Sequence, residues 1–185
     1  MTTFASPIRL TPEEVERASK RDDKIYELID GELKEKVVGT EALFVASRIS
    51  ERLNAAFYPH YGFSVCEGMV YCFDRPNHGR KPDVVFVQLK RLPERRIPTG
   101  DLHIAPDLVV EVISPGNLGT EMFDKLDEYL GAGIPMVWIV NPSNRTIRVY
   151  RDDGTTRLFH SADVIENDPL LPGLRLVVND VMPPA

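Results

Sequence analysis

The segment Pro106-Asp-Leu-Val-Val-Glu-Val-Ile-Ser-Pro115 contains a short strand pattern that is apolar on both faces except at Glu111. Strands of this kind lie at the centre of a sheet, where helices cover both sides. A helical pattern over residues 120–131 and a second apolar strand, Met136-Val-Trp-Ile-Val140, follow. A strand, a helix and a strand in this order predict a crossover between neighbouring parallel strands, and therefore an α/β fold.

The segments on either side predict further sheet strands and helices. Asp30-Gly31 separates two short strand patterns, which is typical of a β-hairpin. Thr40 can cap a helix to about Phe57, whose apolar residues recur every three or four positions. Together with the strand in Lys81-Pro-Asp-Val-Val-Phe-Val87, these patterns predict a mixed central β-sheet flanked by helices, with additional hairpins.

Length and composition indicate a single globular domain. The chain has 185 residues, of which 43% are hydrophobic and 27% charged. We expect one domain over residues 1–185, with a core at about 24–178 and a flexible segment at residues 1–8. It has two cysteines, Cys66 and Cys72, and their spacing fits no metal motif.

Charge and hydropathy limit the classes of partner. The formal net charge of −6 argues against a protein that coats nucleic acid without specificity, although it allows a nuclease whose positive charge is local. No apolar run approaches the ~18 residues that a membrane helix needs. No signal peptide is evident at the amino terminus, so we predict a cytoplasmic protein that does not bind membranes.

Three charged residues stand in or beside apolar strands. Asp83 follows Pro82 at the start of one strand, Glu111 lies inside another, and Lys125 lies on the helix that follows it. A desolvated carboxylate is costly unless a cation pairs with it. Lys125 could bend toward the strand, or it could reach solvent and pair with Glu121 one turn earlier.

Two acids and a lysine without a histidine cluster favour phosphodiester hydrolysis over zinc chemistry. If the two strands are neighbours, Asp83 and Glu111 could bind one Mg²⁺ or Mn²⁺, and the backbone carbonyl of Val112 could complete the ligand set. The metal would acidify a water, and Lys125 would orient or deprotonate that water.

A local excess of basic residues surrounds the first acid. Arg80 and Lys81 precede Asp83, and Lys90 and Arg91 begin a long connection. These four residues could form a solvated face or a loop that contacts phosphates, and they are our candidates for nucleic-acid binding.

Four stretches together resemble a known family. They are Tyr26-Glu-Leu-Ile-Asp-Gly-Glu32, Lys81-Pro-Asp-Val-Val-Phe-Val87, Pro106-Asp-Leu-Val-Val-Glu-Val-Ile-Ser-Pro115, and Asp124-Lys-Leu-Asp-Glu-Tyr-Leu-Gly-Ala-Gly-Ile-Pro-Met-Val-Trp-Ile-Val-Asn-Pro142. Their order and spacing resemble the PD-(D/E)XK nuclease superfamily and, more narrowly, the Uma-type restriction endonuclease-like proteins. The resemblance covers about residues 26–178 and implies a restriction-endonuclease-like core.

The resemblance also implies roles for individual residues. Asp83 and Glu111 would be metal ligands in a DNA endonuclease, and the motif lysine would have moved from the strand, where Ile113 stands, to Lys125. An additional acid would come from the first core helix or the preceding hairpin, where Glu41 and Glu35 are the candidates. Many relatives are homodimers, so we expect a homodimer that acts on DNA.

Two other readings remain open. Many Uma-type proteins have a histidine at the start of the long helix, where this chain has Ala42. That departure and the net acidity suggest a non-catalytic binding or regulatory module that kept the fold. A metal-free hydrolase with paired carboxylates is disfavoured, because it needs a carboxylic acid that is held neutral.

Overall fold

The computed structural model of the protein describes residues 10–114 and 119–184. The helices in these ranges are α1 (Pro12–Asp22), α2 (Thr40–Phe57) and α3 (Gly119–Gly131). The strands are β1 (Tyr26–Ile29), β2 (Glu32–Glu35), β3 (Gly62–Cys66), β4 (Val84–Gln88), β5 (Leu108–Val112), β6 (Met136–Asn141), β7 (Thr146–Arg151), β8 (Thr156–Phe159), β9 (Val164–Glu166) and β10 (Arg175–Val177). The predicted flexible segment, residues 1–8, lies outside the described residues.

A six-stranded mixed sheet forms the centre of the fold, in the order β3-β4-β5-β6-β7-β8. Its one parallel pair is β5 with β6, and α3 connects these strands as the crossover that the sequence predicts. The other neighbours pair antiparallel, including β4 with β5. The predicted α/β class with a mixed central sheet and flanking helices is therefore confirmed.

The two faces of the sheet carry different helices. Even-numbered residues of β4 and β5, such as Val84 and Val110, pack with α2 in the larger core cluster. Odd-numbered residues, such as Val85 and Val109, pack with Leu126 and Tyr129 of α3. Because side chains alternate along a strand, Glu111 lies on the α3 face.

The β1–β2 hairpin packs beside this face through a close backbone contact. Leu28 and Gly79 exchange hydrogen bonds, with the N–H of each donating to the carbonyl of the other at 2.9 and 2.7 Å. A Cβ atom at position 79 would collide with the ring of Tyr71, so glycine lets that ring pack against the backbone beside this contact. This contact sets the position of the hairpin, and with it the positions of Glu27 and Lys36 on the face of the sheet that α3 covers.

Two details differ from the sequence prediction. Gly39 is the N-cap of α2 and Thr40 is its first helical residue, so Thr40 does not cap the helix. Strand β9, which pairs with β10, was not predicted because its three residues carry little periodicity.

No helix in residues 10–114 and 119–184 is long and apolar enough to cross a membrane. The single domain over residues 1–185 stays a prediction.

Candidate active site

Asp83 and Glu111 come together because their strands are neighbours. In the β4–β5 pair, Val84 is opposite Val110 and Val85 is opposite Val109. Extending this register by one pair sets Asp83, which directly precedes β4, opposite Glu111. Both carboxylates are nearly inaccessible to solvent, at 4% and 2% exposure. The two predicted acids therefore share one face of the sheet at the C-terminal end of β5.

Lys125 reaches these acids from α3. Its ammonium lies 3.4 and 3.5 Å from the two oxygens of Glu111 and 3.4 Å from Glu27 Oε1. The alternative partner, Glu121, instead accepts a hydrogen bond of 2.6 Å from Lys34 of β2. Burial alone would lower the pKa of Lys125, but the carboxylates of Glu111 and Glu27 outweigh burial and raise it. Lys125 therefore turns inward and stays cationic.

Asp83 is held on both of its oxygens. The backbone N–H of Val112 donates to Oδ2 at 2.6 Å, and the ammonium of Lys36 donates to Oδ1 at 2.8 Å. The hydrogen bond from Val112 holds the Asp83 carboxylate at the end of β5. The position of this carboxylate therefore depends on the backbone of β5 more than on the flexible side chain of Lys36. The proposed metal ligand at Val112 is its carbonyl, and that role stays a prediction.

Glu111 is oriented by a tyrosine one helical turn beyond Lys125. The hydroxyl of Tyr129 donates to Glu111 Oε1 at 2.5 Å, and both side chains are buried. Burial raises the pKa of Glu111, as does the charge of Asp83, although Lys125 and Lys36 partly offset these effects. Burial and the same carboxylate raise the pKa of Tyr129 well above its usual value, so Tyr129 remains a donor.

A third buried acid, Glu27 of β1, completes this side of the site. Its oxygens accept hydrogen bonds of 3.0 Å from Arg80 Nη1 and from the backbone N–H of Lys81. Burial alone would raise the pKa of Glu27, but Lys125 and Arg80 lower it. Sequence reasoning proposed other acids and missed this one. Its signal was an acid between the apolar residues Tyr26 and Leu28 of a strand.

Lys36, just after β2, is a second inward-facing lysine that sequence reasoning missed. Besides Asp83, it contacts both oxygens of Glu67, at 2.9 and 3.1 Å, and the carbonyl of Lys81 at 2.6 Å. The carboxylates of Glu111, Asp83 and Glu67 overcome burial and raise the pKa of Lys36. Burial raises the pKa of Glu67 to about 7 even though Lys36 opposes that shift.

These side chains surround an open cleft of about 350 Å³ between the hairpin, the start of α2, the end of β5 and α3. The charged residues that line it are Glu27, Lys34, Glu35, Lys36, Asp83, Glu111, Glu121 and Lys125. The structure thus brings Asp83, Glu111 and Lys125 into one cleft. Buried acids beside lysines in a cleft are typical of functional sites.

The two candidates for an additional acid lie farther out. Glu35 lines the cleft, but its side chain is 42% exposed and pairs with Lys24 at 2.6 Å. Glu41 is exposed in the first turn of α2 and is not among the described residues that line the cleft. Both roles stay predictions, and Glu27 is the better placed acid of the hairpin.

The four basic candidates for nucleic-acid binding separate into two places. Arg80 is buried, with Glu27 at 3.0 Å and Glu128 at 2.7 Å, so two carboxylates hold a guanidinium that was expected on a solvated face. This arginine is not available to a phosphate at the surface. Lys81 is half-buried beside the cleft. Lys90 is exposed and Arg91 pairs with Asp107 at 3.2 Å, both at the other end of β4.

The donor set fits a hard divalent cation. Among residues 10–114 and 119–184, no three His, Cys, Asp or Glu side chains are grouped as ligands of a metal ion. Mg²⁺ does not need such a group, because it commonly takes one or two carboxylates and keeps several waters. Asp83 and Glu111 offer two carboxylates on one cleft wall. Nitrogen and sulfur ligands, which zinc prefers, are absent from the residues lining the described cleft.

Comparison with known proteins supports the fold and identifies the family. A crystal structure described as "a putative nuclease belonging to DUF820 from Anabaena variabilis ATCC 29413" matches with a TM-score of 0.72 and 23% identity, over 86% of this chain and 90% of that chain. No curated protein matches this chain. The model of the Uma2 family, described as "Putative restriction endonuclease", matches residues 12–179. This match spans most of the sequence, and the chain belongs to the Uma2 family.

Proposed function

We propose that this protein is a divalent-metal-dependent endonuclease that hydrolyses DNA phosphodiester bonds. The observation that carries the proposal is the meeting of Asp83, Glu111 and Lys125 in one cleft. The description of the Uma2 family and that of the Anabaena protein support a nuclease activity. Asp83 and Glu111 would hold Mg²⁺ or Mn²⁺, and the carbonyl of Val112 is the third proposed ligand.

The chain's own residues provide positioning and charge. Tyr129 and the N–H of Val112 each hold one oxygen of a ligand carboxylate, which fixes Glu111 and Asp83 relative to each other. When bound, a divalent ion supplies Lewis-acid stabilisation of negative charge on a phosphate. Preorganised groups of this kind lower the barrier because they need no rearrangement during the reaction.

Lys125 is suited to the attacking water and to the phosphate. Its three carboxylate contacts of 3.4 to 3.5 Å are longer than the roughly 2.7–2.9 Å of strong charge-assisted hydrogen bonds. Its N–H groups are therefore free to turn toward a water or a phosphate oxygen in the cleft. An ammonium there orients the nucleophile and offsets developing charge.

A plasmid-nicking assay with Mg²⁺ or Mn²⁺ tests the proposal. We expect the wild-type protein to nick the plasmid, and Asp83→Ala and Lys125→Ala to lose the activity while remaining folded. Nicking that persists in both folded variants would identify a contaminating nuclease and refute the assignment. EDTA should abolish the wild-type activity, because the ligand carboxylates alone supply no Lewis acid.

Two observations favour a second function, a non-catalytic binding module. Lys36 already neutralises Asp83 at 2.8 Å, and Ala42 lines the cleft at the position where the family resemblance leads us to expect a histidine. Folded wild-type protein that binds Mn²⁺ but cleaves no nucleic acid would favour this module over the nuclease.

A homodimer in the cytoplasm is the proposed state of the protein. An apolar groove of about 540 Å³ lies between α3 and strands β6 to β8, and Phe123 on its edge is 63% exposed. Exposed apolar patches often mark association sites. Light scattering should give twice the mass of one chain for the wild type and the mass of a single chain for Phe123→Asp. The two free thiols, Cys66 and Cys72, suit a reducing compartment.

A further inference from the structure

Lys36 lies in a cage of oxygen atoms that resembles a metal site more than an ordinary ion pair. Its ammonium has four oxygen contacts between 2.6 and 3.1 Å, from two carboxylates and one carbonyl. The side chain is 11% exposed. An ammonium has only three protons, so four close oxygens exceed what its hydrogen bonds require. Oxygen-only surroundings of this kind suit a hard cation.

Lys36 and Lys125, the two lysines that contact the buried acids, differ in how tightly they are held. Lys36 contacts Asp83 at 2.8 Å, whereas Lys125 contacts Glu111 at 3.4 Å. Glu67 directly follows β3, has a backbone φ of 55° that is uncommon for glutamate, and contacts Lys36 through both carboxylate oxygens. Lys36 is therefore a fixed part of the site, while Lys125 is free to serve the reaction.

The charges around the cleft leave room for one divalent ion. The side chains that line the cleft carry five carboxylates and three ammonium groups, which leave two negative charges. One divalent ion balances these two charges. A second divalent ion beside Lys36 would add uncompensated positive charge in a buried place, which is costly.

We propose that Lys36 is the resident cation of a second cation position, between Asp83 and Glu67, and that the site therefore binds a single divalent ion between Asp83 and Glu111. This inference rests on the proposed metal dependence. Lys36 stays on Asp83 when the metal binds, because each oxygen of that carboxylate has a second lone pair to offer. Removing the ammonium opens the second position to a metal.

Mn²⁺ binding, measured by titration calorimetry and by the loss of the free Mn²⁺ EPR signal, tests this without any activity assay. We expect one Mn²⁺ per wild-type chain and two in Lys36→Met. Lys36→Met combined with Glu67→Gln should return to one, because Glu67 supplies the second position with its carboxylate. Lys34→Met is the matched control on the same hairpin, since its ammonium contacts Glu121, and it should bind one.

Each other result decides against the proposal. Two Mn²⁺ in the wild type, or one in folded Lys36→Met, would mean that Lys36 does not fill a cation position. If the wild type bound no Mn²⁺ and Lys36→Met bound one, Lys36 would fill the single position itself, and the proposed metal dependence would fail with it. If the wild type bound one Mn²⁺ but did not nick a plasmid, only the proposed function would be refuted, and the inference about Lys36 would stand.

A crystal of the wild-type protein soaked in Mn²⁺ decides the same question if Lys36→Met fails to fold. We expect one anomalous peak beside Asp83 and Glu111, with the Lys36 ammonium still within hydrogen-bond distance of Asp83. Two peaks, or a lysine displaced from Asp83 by the metal, would overturn the proposal.

Discussion

The two ends of strand β5 each carry a buried acid, and Glu111 is the one that lines the described cleft. Asp107, just before the strand, is 5% exposed, and Glu111 near its C-terminal end is 2% exposed. Asp107 Oδ2 accepts a hydrogen bond of 2.8 Å from the N–H of Gln88, and Oδ1 pairs with Arg91 at 3.2 Å. One backbone donor and one arginine leave that carboxylate fully satisfied.

At the C-terminal end of β5, the carboxylates share their cations. Glu111 shares Lys125 with Glu27, and Asp83 shares Lys36 with Glu67. Carboxylates outnumber cations there, and they border open space. Burial of an acid is thus a weak sign of function, because a structural ion pair produces it as well. An excess of buried acids beside a cleft is the more specific sign.

Activity should separate the two ends most strongly. Glu111→Gln is expected to lower plasmid nicking by about 1,000-fold or more, because the proposed metal ion would lose a ligand and with it Lewis-acid stabilisation worth several kcal/mol. Asp107→Asn keeps the hydrogen bond from Gln88 and should remain within about twofold of the wild type. Equal losses in both folded variants would mean that the two ends of β5 do not differ in function.

Stability should show the next largest difference. Arg80→Met removes the guanidinium that Glu27 and Glu128 share, and breaking a buried ion pair costs about 3 kcal/mol of unfolding free energy. Arg91→Met at the other end should cost less than about 1 kcal/mol, because its side chain is 34% exposed. Urea denaturation of both variants measures the gap. A similar loss of unfolding free energy in both variants would show that burial of the arginine does not determine the cost.

Acid titration probes the same network from α3. Burial alone would raise the pKa of Glu128, but hydrogen bonds from Arg80 and Arg75 lower it to about 2. A lowered pKa stabilises the folded state above the unfolded value near 4.5, and this contribution disappears as pH falls toward 2. Because the Glu128 side chain is partly exposed, solvent screening reduces this contribution, and the wild type should exceed Glu128→Gln by about 2 kcal/mol at pH 7 and by much less at pH 2. Urea denaturation of the wild type and of Glu128→Gln at both pH values measures this difference, and an equal gap at pH 7 and pH 2 would contradict it.

A smaller effect is expected at the hydrogen bond that orients Glu111. Tyr129→Phe keeps the buried ring and removes the hydroxyl that donates to Glu111 at 2.5 Å. Loss of a partner that orients a metal ligand typically weakens metal binding by about 10-fold. Mn²⁺ calorimetry should record this decrease with an unchanged stoichiometry. Unaltered affinity would mean that the strand alone holds Glu111 in place.

The sequence sufficed for the part of the site that lies along β4, β5 and α3. Alternation along a strand places Asp83 and Glu111 on one face once the two strands are paired, and the crossover brings Lys125 to that face. These inferences need only local periodicity and the handedness of the connection. The predicted convergence therefore depended on few assumptions.

The rest of the site depends on how distant segments pack. Glu67 follows β3, and the pairing of β3 with β4 sets it beside Asp83. Glu27 and Lys36 come from the hairpin, and they meet the acids through its close approach at Gly79. No periodicity in one segment encodes that approach. Arg80 illustrates the same limit, because a run of basic residues in the sequence does not reveal which side chain turns into the core.

The smallest effect is expected at Lys90, in the basic loop beside the Asp107 end. Gln88 lies five residue steps along β4 from Asp83, so this loop lies roughly 17 Å from the cleft. Such a lysine can contact the DNA backbone but not the reacting phosphate. Lys90→Ala should weaken DNA binding only a few-fold and lower the salt dependence of binding by about one unit, because one phosphate contact is lost. Fluorescence anisotropy at several salt concentrations measures both, and an unchanged slope would mean that DNA does not extend along the sheet to this end.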